Sequence, residues 1–288
     1  MAAEIIEDVT GSEDVNTDTY SNKKYVAIAD GNDIVVEIPK SGDDAVVMDD
    51  GEDDVVSMQL PEIVVDERGV LTDDGTVVYT NEEESITIGV QPLKEIKDEV
   101  FLEGVRTTIT ISDSSASKEY EFAYDLQEGS KLVTAADYLG EEYDTGEVYI
   151  VDQDNVITKI IEPAWAKDAN GNDIETYYKV NGNVLIQVVN FDENTAFPVV
   201  ADPTAWQVTK CVAAIGGVIA TTVYAGAKVV KIKKYIKELG GIKVTAELLM
   251  GALIKQDIKA AAKAGGEALV GLCNMVLGID TIISNCKY

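Results

Sequence analysis

The sequence predicts an α+β fold in two parts, with an all-β, sandwich-like N-terminal domain followed by a small all-α helical bundle. Up to Pro203, short runs of alternating apolar and polar residues are separated by turn signals roughly every 8 to 12 residues, which is typical of a β sandwich. After Pro203 the apolar residues recur at helical spacing. The charge changes at the same place. Residues 1–203 carry 12 Lys and Arg against 47 Asp and Glu, a net charge of -35, whereas residues 204–288 carry 11 Lys against 5 acidic residues, a net charge of +6.

These patterns divide the 288 residues into three segments, in a chain long enough for one large or two modest domains. Residues 1–22 are polar and acidic without a clear period, and we expect them to be a disordered acidic leader. Residues 23–203 form the predicted acidic β-sandwich domain. Residues 204–288 form the predicted cationic helical domain.

Turn signals between β-type runs predict the hairpins of the first domain. The predicted turns are Asp30-Gly31-Asn32, Asp74-Gly75, Gln153-Asp154-Asn155, Asn170-Gly171 and Asn181-Gly182. Residues 107–112 show the alternation that places one face of a strand inward. Here Thr107, Ile109 and Ile111 are expected on the inner face, and Thr108, Thr110 and Ser112 on the outer face.

Three helices are predicted in the second domain. In the first, Val229, Ile232, Ile236 and Leu239 share one face, lysines lie opposite, and Gly240-Gly241 is the predicted stop. The stretch "IKVTAELLMGALI" is the second helix. The third begins near Gln256 and is loosened at Gly265-Gly266.

Composition excludes several classes of function. The chain has no histidine, which removes Ser-His and Cys-His nucleophiles and histidine metal sites. The acidic part would repel phosphates, so no nucleic-acid partner is expected. The 52 acidic residues always offer some carboxylate pair for glycoside hydrolysis, but no spacing singles one out. We therefore predict no catalytic residue, no enzyme activity and no cofactor, with a hydrolase as the remaining alternative.

The stretch "DANGNDIET", from Asp168 to Thr176, places oxygen ligands at alternating positions, as a calcium loop does. The match then fails, because Asp173 replaces the expected glycine and Lys179 stands where the bidentate glutamate belongs. The pattern favours a hairpin turn over a calcium site, and no metal site is predicted.

The cysteines Cys211, Cys273 and Cys286 all lie in the cationic segment. Three is an odd number, so at most one intrachain disulfide can form. We predict that Cys211 pairs with Cys286, which would join the two ends of the helical segment. Three reduced core cysteines are the alternative.

The 17 residues from Cys211 to Ala227 carry no charge, a length near the lower limit for crossing a bilayer. They are either a buried helix of a bundle or a helix that leaves the bundle for a membrane. The lysines that follow favour the membrane, because their ammonium groups can reach anionic headgroups. The candidate membrane-contacting residues are Lys228, Lys231, Ile232, Lys233, Lys234, Tyr235, Ile236 and Lys237.

The seam between the two parts reads "VVADPTAW", with Pro203 where a strand should end and a helix begin. Asp202, Pro203 and Thr204 are a candidate processing site. The alternative is an ordinary connector between domains.

Several stretches near the end of the chain carry a resemblance: "EPAWAKDANGNDIETYYKVNGNVLIQVV", then "FPVVADPTAW", then "VVKIKKYIKELGG" and "LGIDTIISNC". From about Gly146 onward the chain resembles a group of uncharacterised secreted proteins of Gram-positive bacteria, similar in layout to bacteriocin precursors. The resemblance implies secretion and a β-then-helical layout. The start "MAAEIIEDVTGSED" lacks the basic and apolar regions of a signal peptide, so either the protein stays inside the cell or the sequence is a mature form with an added Met. The resemblance favours the mature, extracellular form.

The leading hypothesis is a secreted protein in which the acidic β domain restrains a cationic, membrane-active helical segment. Its partners would be an anionic membrane surface and the chain's own acidic domain. The alternative is an extracellular or cell-surface binding module with a structural helical tail. Tyr143, Tyr149, Tyr177 and Tyr178 cluster late in the β part and would supply its contact surface.

Overall fold

The computed structural model describes residues 2–11, 13–51, 55–97, 100–220, 226–254, 258–276 and 279–286. It shows an α+β fold with two large antiparallel sheets followed by a helical region, which confirms the predicted fold class. The chain divides into two compact units. Unit 1 comprises Met1–Ile96, Phe101–Leu132 and Ile161–Gln207, and unit 2 comprises Lys97–Val100, Val133–Ile160 and Val208–Tyr288.

The strands, in chain order, are β1 (Thr19–Tyr20), β2 (Tyr25–Asp30), β3 (Val35–Pro39), β4 (Val46–Asp49), β5 (Val56–Gln59), β6 (Val70–Leu71), β7 (Val77–Asn81), β8 (Ile86–Lys97), β9 (Val100–Ile111), β10 (Glu119–Asp125), β11 (Lys131–Thr134), β12 (Val148–Val151), β13 (Ile157–Ile161), β14 (Trp165–Lys167), β15 (Thr176–Asn181), β16 (Val184–Val189), β17 (Val199–Asp202) and β18 (Thr204–Gln207). The helices are α1 (Ala2–Thr10), α2 (Ala135–Leu139), α3 (Lys210–Ala220), α4 (Gly226–Leu239), α5 (Ile242–Ile254), α6 (Ile258–Val276) and α7 (Asp280–Asn285).

Unit 1 is built from β strands. One antiparallel sheet has the order β1-β2-β3-β4-β5-β10-β16-β15. In the other, β18, β9, β8, β7 and β6 are neighbours in that order, and β17 pairs with both β9 and β14. Each predicted turn lies between paired or adjacent strands, and the turn glycines Gly75, Gly171 and Gly182 have positive φ. The turn residues in the sequence therefore predicted the positions of these turns correctly.

The strand β9 does not have the solvent-facing side that its alternation predicts. Thr108 and Thr110 are as buried as Ile109 and Ile111. The strand lies in the interior of its sheet, where β8 flanks it on one edge and β17 and β18 on the other. Burial of these four residues shows that other parts of the fold cover both faces of the strand here. Threonine suits this position because its β-branched body packs like valine.

The first residues of the chain are also structured, contrary to the expected disorder. Residues Ala2–Thr10 form α1, and Ile6 is fully buried. A side chain at Gly89 of β8 would clash with Ile6, so this glycine allows the helix to lie close to the sheet. Farther along, Val15 makes an isolated antiparallel bridge to Leu93. The N-terminal segment is therefore part of unit 1.

Unit 2 contains the helices α3–α7 together with α2, the 3₁₀ turn Glu141–Tyr143 and the strands β12 and β13. Helix α3 packs against α4, α5 and α7, and α6 packs against α4 and α5. A side chain at Gly216 of α3 would meet Ile157 of β13 and the hydroxyl of Tyr138 at 3.2 Å. The helices thus share one core with residues 133–160, and the structural division differs from the predicted boundary near Pro203.

Two pairs of glycines shape the helical region as predicted. Helix α4 ends before Gly240 and Gly241, both with positive φ, and the Gly241 amide donates to the Ile236 carbonyl at 3.0 Å. Helix α6 bends at Gly266, whose backbone is not helical.

Cys211 and Cys286 form a disulfide, as predicted. It links α3 to the end of α7 across a sequence separation of 75 residues, and both cysteines are fully buried. Cys273 is free and buried, and burial raises the pKa of its thiol. The helices are therefore closed into a loop from near their first residue to their last.

Replacing Cys211 and Cys286 together by alanine is expected to lower the free energy of unfolding of unit 2 by about 4 kcal/mol, because the unfolded chain regains the entropy of a long loop. Urea unfolding followed by circular dichroism measures the loss. Cys273→Ala is the matched control, since it also removes a buried sulfur but no cross-link. If the double variant and Cys273→Ala lost the same free energy of unfolding, the disulfide between Cys211 and Cys286 would be contradicted.

Candidate functional site

Helix α4 places its predicted membrane-contacting residues in two different environments. Lys231, Lys234 and Lys237 are exposed, and we call them the lysine face. Lys228, Lys233 and Tyr235 are half-buried, and partial burial lowers the pKa of Lys233. The lysine face is the part of α4 that an anionic surface can reach in the folded chain.

Ile232 and Ile236, by contrast, are fully buried in unit 2. The prediction that they contact a membrane is therefore wrong for the folded chain, because their side chains fill the core. The helical period placed them correctly on the apolar face. That face is covered by protein, and it would become available only if unit 2 opened.

Residues 133–160 bring acidic groups into the same unit as the lysines. The Lys237 ammonium donates to the Glu142 carbonyl at 2.6 Å. Residues 208–288 carry a net charge of +6, residues 133–160 carry seven acidic residues and one Lys, a net of -6, and residues 97–100 add -1. Unit 2 therefore has a net charge of only -1, although its helical segment is cationic.

A buried carboxylate connects the two parts of unit 2. Glu147 accepts hydrogen bonds from the hydroxyls of Tyr149 at 2.7 Å and Thr145 at 2.9 Å. It also accepts from the first amides of α5, those of Ile242 at 2.9 Å and Lys243 at 3.4 Å. The positive end of the helix dipole and these unpaired amides stabilise a negative charge there. Glu147 thus caps a helix that lies 95 residues away in sequence.

Opposing effects act on the carboxyl group of Glu147, and burial is the larger one, so its pKa is raised overall. Burial raises its pKa, and the hydrogen bonds from the Ile242 amide and the Tyr149 hydroxyl oppose that rise. A Cβ atom on Gly241 would lie 2.5 Å from the Glu147 carboxylate. Glycine at this position leaves space for the carboxylate at the start of α5.

The predicted processing seam lies inside unit 1. Asp202 ends β17, Thr204 begins β18, and both residues, with Pro203 between them, are buried. Strand β9 pairs with both of these strands. A protease needs an accessible segment, so the fold does not support the reading of these residues as an exposed cleavage site.

Asp202 instead belongs to a buried polar cluster. Its carboxylate accepts from the Thr204 hydroxyl at 2.6 Å and from the Trp165 indole at 3.1 Å, and it lies 3.5 Å from Nε of Arg106. Arg106 also pairs with Asp14 of the N-terminal segment. The cluster therefore joins the stretches "EPAW" and "VVADPTAW", which the sequence alone left unconnected.

Burial raises the pKa of Asp202 to about 7, although Thr204 and Arg106 favour its ionised form. Sequence reasoning missed the role of Arg106. The available signal was its rarity, since the chain has only two arginines, and Arg is suited to a buried ion pair.

The "DANGNDIET" stretch forms a turn. The Asp168 carboxylate accepts from the backbone amides of Asn170 at 2.9 Å and Asn172 at 2.8 Å. These hydrogen bonds close the turn. Across the described ranges, no group of three or more Cys, Asp or Glu side chains is arranged to hold a metal.

Unit 1 also has an open cavity of about 670 Å³ that we call the acidic cavity. Its carboxylate-bearing residues are Glu62, Asp66, Glu67, Glu82, Glu83 and Glu84. Asn81 links the two walls, because its amide donates to the Ile63 carbonyl at 2.7 Å.

The four tyrosines proposed as a contact surface lie in different settings. Tyr149 is fully buried, and the Tyr178 hydroxyl donates to the Asp202 carbonyl at 3.2 Å. Tyr143 is half-buried, and Tyr177 is 44 % exposed. Tyr149 and Tyr178 therefore have structural roles.

No family model, curated protein or solved structure matches the chain. In the part of the chain that the structure describes, no helix combines the length and apolarity needed to cross a membrane. Helix α3 is largely buried, and residues 221–225 of the uncharged run lie outside the described residues.

Gly241→Ala is expected to destabilise unit 2 by about 2 kcal/mol more than Gly240→Ala, because it displaces a buried carboxylate from its hydrogen bonds. Both glycines have positive φ, but a Cβ atom on Gly240 meets nothing within 4 Å. Both substitutions strain the backbone, but only Gly241→Ala also creates a clash with Glu147. The difference between the two variants in urea unfolding therefore measures the effect of the clash. Equal destabilisation would count against the capping role of Glu147.

Asp202 is expected to make the protein less stable as the pH rises. Its folded pKa of about 7 lies above the unfolded value of 3.8, so the folded state binds more protons between these values. The free energy of unfolding therefore falls from about pH 4 to pH 7, by at most about 4 kcal/mol from this group. Asp202→Asn should remove that part of the slope. If the free energy of unfolding depended on pH in the same way in the wild type and in Asp202→Asn, the raised pKa of Asp202 would be refuted.

Proposed function

We propose that this chain is a secreted bacterial protein that holds cationic, amphipathic helices in a masked form, and that these helices disrupt anionic membranes when unit 2 opens. The observation that carries the proposal is the arrangement of α4. Its lysine face is exposed, while Ile232 and Ile236 beneath it are fully buried. A helix with such faces binds where anionic headgroups meet acyl chains.

The proposal assigns the restraint to residues 133–160 rather than to the whole acidic β domain. Their seven acidic residues offset the charge of the helices within one unit. Glu147 caps α5, and the Tyr138 hydroxyl lies 3.0 Å from the Gly216 carbonyl of α3 and 2.9 Å from the Asn155 carbonyl, so its one proton is shared between them. Separating the helices from this segment would cost these bonds and expose the apolar face of α4.

Opening of unit 2, rather than cleavage at Pro203, is the proposed release step, because the seam is buried. The disulfide opposes opening, so its reduction is one chemical route to release. Disulfides persist in oxidising compartments, which supports the proposed extracellular location. It is also the location that the resemblance to secreted Gram-positive proteins implies.

Leakage of dye from vesicles rich in phosphatidylglycerol tests the proposal. The intact, oxidised protein should cause little leakage. The double variant Cys211→Ala, Cys286→Ala should cause leakage at a concentration at least about tenfold lower, since losing the cross-link makes opening easier. Inertness of the double variant on these vesicles would refute membrane activity.

Charge variants in the same background identify the contact surface. Replacing Lys231, Lys234 and Lys237 by glutamine should weaken binding to anionic vesicles about 100-fold, since each lysine near the surface contributes about 1 kcal/mol. The matched control replaces the exposed lysines Lys23, Lys40 and Lys131 of unit 1 by glutamine and should bind as before. A specific role of α4 would be contradicted if the two triple variants lost binding to anionic vesicles equally. It would also be contradicted if neutral vesicles leaked as much as anionic ones.

The second candidate function is an extracellular binding module, and the acidic cavity favours it. Its volume is in the range of small-ligand sites, and its carboxylates suit a cation such as a polyamine. Titration calorimetry with spermine provides the test. Replacing Glu82, Glu83 and Glu84 by glutamine should abolish binding if the cavity is the site, whereas replacing Asp43, Asp44 and Asp49 should not.

A further inference from the structure

A buried hydroxyl and a buried amide face each other between β7 and β8. Thr76 immediately precedes β7, and Gln91 lies in β8. The pairing of Val77 with Val90 places them directly opposite each other, and both are fully buried. The Gln91 amide nitrogen donates to the Thr76 hydroxyl oxygen at 2.9 Å.

Two charged groups complete this cluster. The Thr76 hydroxyl donates to the Asp74 carboxylate at 3.0 Å. On the other side, a guanidinium nitrogen of Arg106 donates to the Gln91 carbonyl oxygen at 3.2 Å. The hydroxyl therefore has a proton acceptor, and the amide carbonyl has a cationic donor at its oxygen.

The cluster brings together the groups that acyl transfer requires. A hydroxyl becomes a nucleophile when an adjacent base takes its proton, and a carbonyl becomes an electrophile when a donor stabilises the negative charge that develops on its oxygen. Holding both groups in place also removes the entropic cost of bringing them together.

We infer that Thr76 and Gln91 form an intramolecular ester cross-link. The Thr76 hydroxyl oxygen attacks the side-chain carbonyl carbon of Gln91, and Asp74 accepts the hydroxyl proton. Arg106 stabilises the oxyanion of the tetrahedral intermediate. The carbon–nitrogen bond then breaks, the nitrogen takes the proton from Asp74, and ammonia leaves. The products are one ester and one ammonia, and no external reactant is consumed.

The surroundings hold each participant in place. Asp74 also accepts a hydrogen bond from the Thr72 hydroxyl and one from the Thr76 amide at 3.3 Å. Although burial alone would raise the pKa of Asp74, these bonds together hold it below its ordinary value, so the group is a carboxylate at neutral pH. Arg106 is held by Asp14 and Asp202. Burial of the hydroxyl and the amide excludes the water that would hydrolyse the ester.

Intact mass spectrometry of the reduced full-length protein tests the inference. The mass should be about 17 Da, one ammonia, below the mass calculated from the sequence. Thr76→Val and Gln91→Glu should each restore the mass calculated for the variant. Asp74→Asn should leave most of the protein uncross-linked, because the hydroxyl loses its base.

Peptide mapping of the wild-type protein does not depend on whether the variants fold. Trypsin releases residues 69–94 as one peptide, since no Lys or Arg lies between Arg68 and Lys94. A second cleavage at Glu82–Glu84 should leave two peptides joined through Thr76 and Gln91. Hydroxylamine should then separate them.

Succinimide formation at Asn170-Gly171 or Asn181-Gly182 also releases ammonia, but hydroxylamine cleaves the backbone at a succinimide. A loss of ammonia that maps to these sites would overturn the inference. The inference would also be overturned if the protein kept the mass calculated from its sequence after prolonged incubation at neutral pH, and if the two cleavages then released Thr76 and Gln91 on separate, unmodified peptides. Neither outcome bears on the proposed membrane activity, because that proposal rests on α4 and not on this cluster.

Discussion

The helical unit depends on one carboxylate placed where a helix begins. Glu147 immediately precedes β12, yet its carboxylate accepts hydrogen bonds from the first amides of α5. An uncompensated carboxylate in this position would be costly, because burial opposes its charge. The amides and hydroxyls offset that cost only while residues 133–160 and the helices stay together. This mutual dependence makes them one unit rather than a carrier and a separable tail.

The association of residues 133–160 with the helices also changes how the uneven distribution of charge along the chain is interpreted. Divided at Pro203, the chain contains an acidic part and a cationic part of opposite sign. Divided as it folds, unit 2 has a net charge of -1, and the remaining -28 belongs to unit 1. Electrostatic attraction between residues 133–160 and the helical segment therefore acts within one unit, over shorter distances than an attraction between whole domains, and salt screens it less.

Local patterns predicted the elements of the fold, and long-range contacts decided what the patterns could not show. Alternation and turn glycines located the hairpins, and the helical period separated Ile232 and Ile236 from the lysine face. The number and placement of the cysteines favoured the disulfide between Cys211 and Cys286 but left three reduced cysteines as the alternative, and the structure shows the disulfide. No local signal marks the cap from Glu147 to Ile242, because 95 residues separate them. No local signal marks the polar clusters around Arg106 either, since their members come from six separate stretches of the chain. Alternation of residue types also did not show that β9 is covered on both faces, because threonine occurs both on solvent-facing and on buried faces of strands.

Native-state hydrogen exchange on the full-length protein tests the central claim, that the helices and residues 133–160 form one cooperative unit, most directly. The account predicts that the amides of Ile242, Lys243 and the interior of α5 open with the same free energy as the amides of β12 and β13. Protection of β12 and β13 that persists while α3, α4 and α5 exchange at a much lower free energy would contradict it.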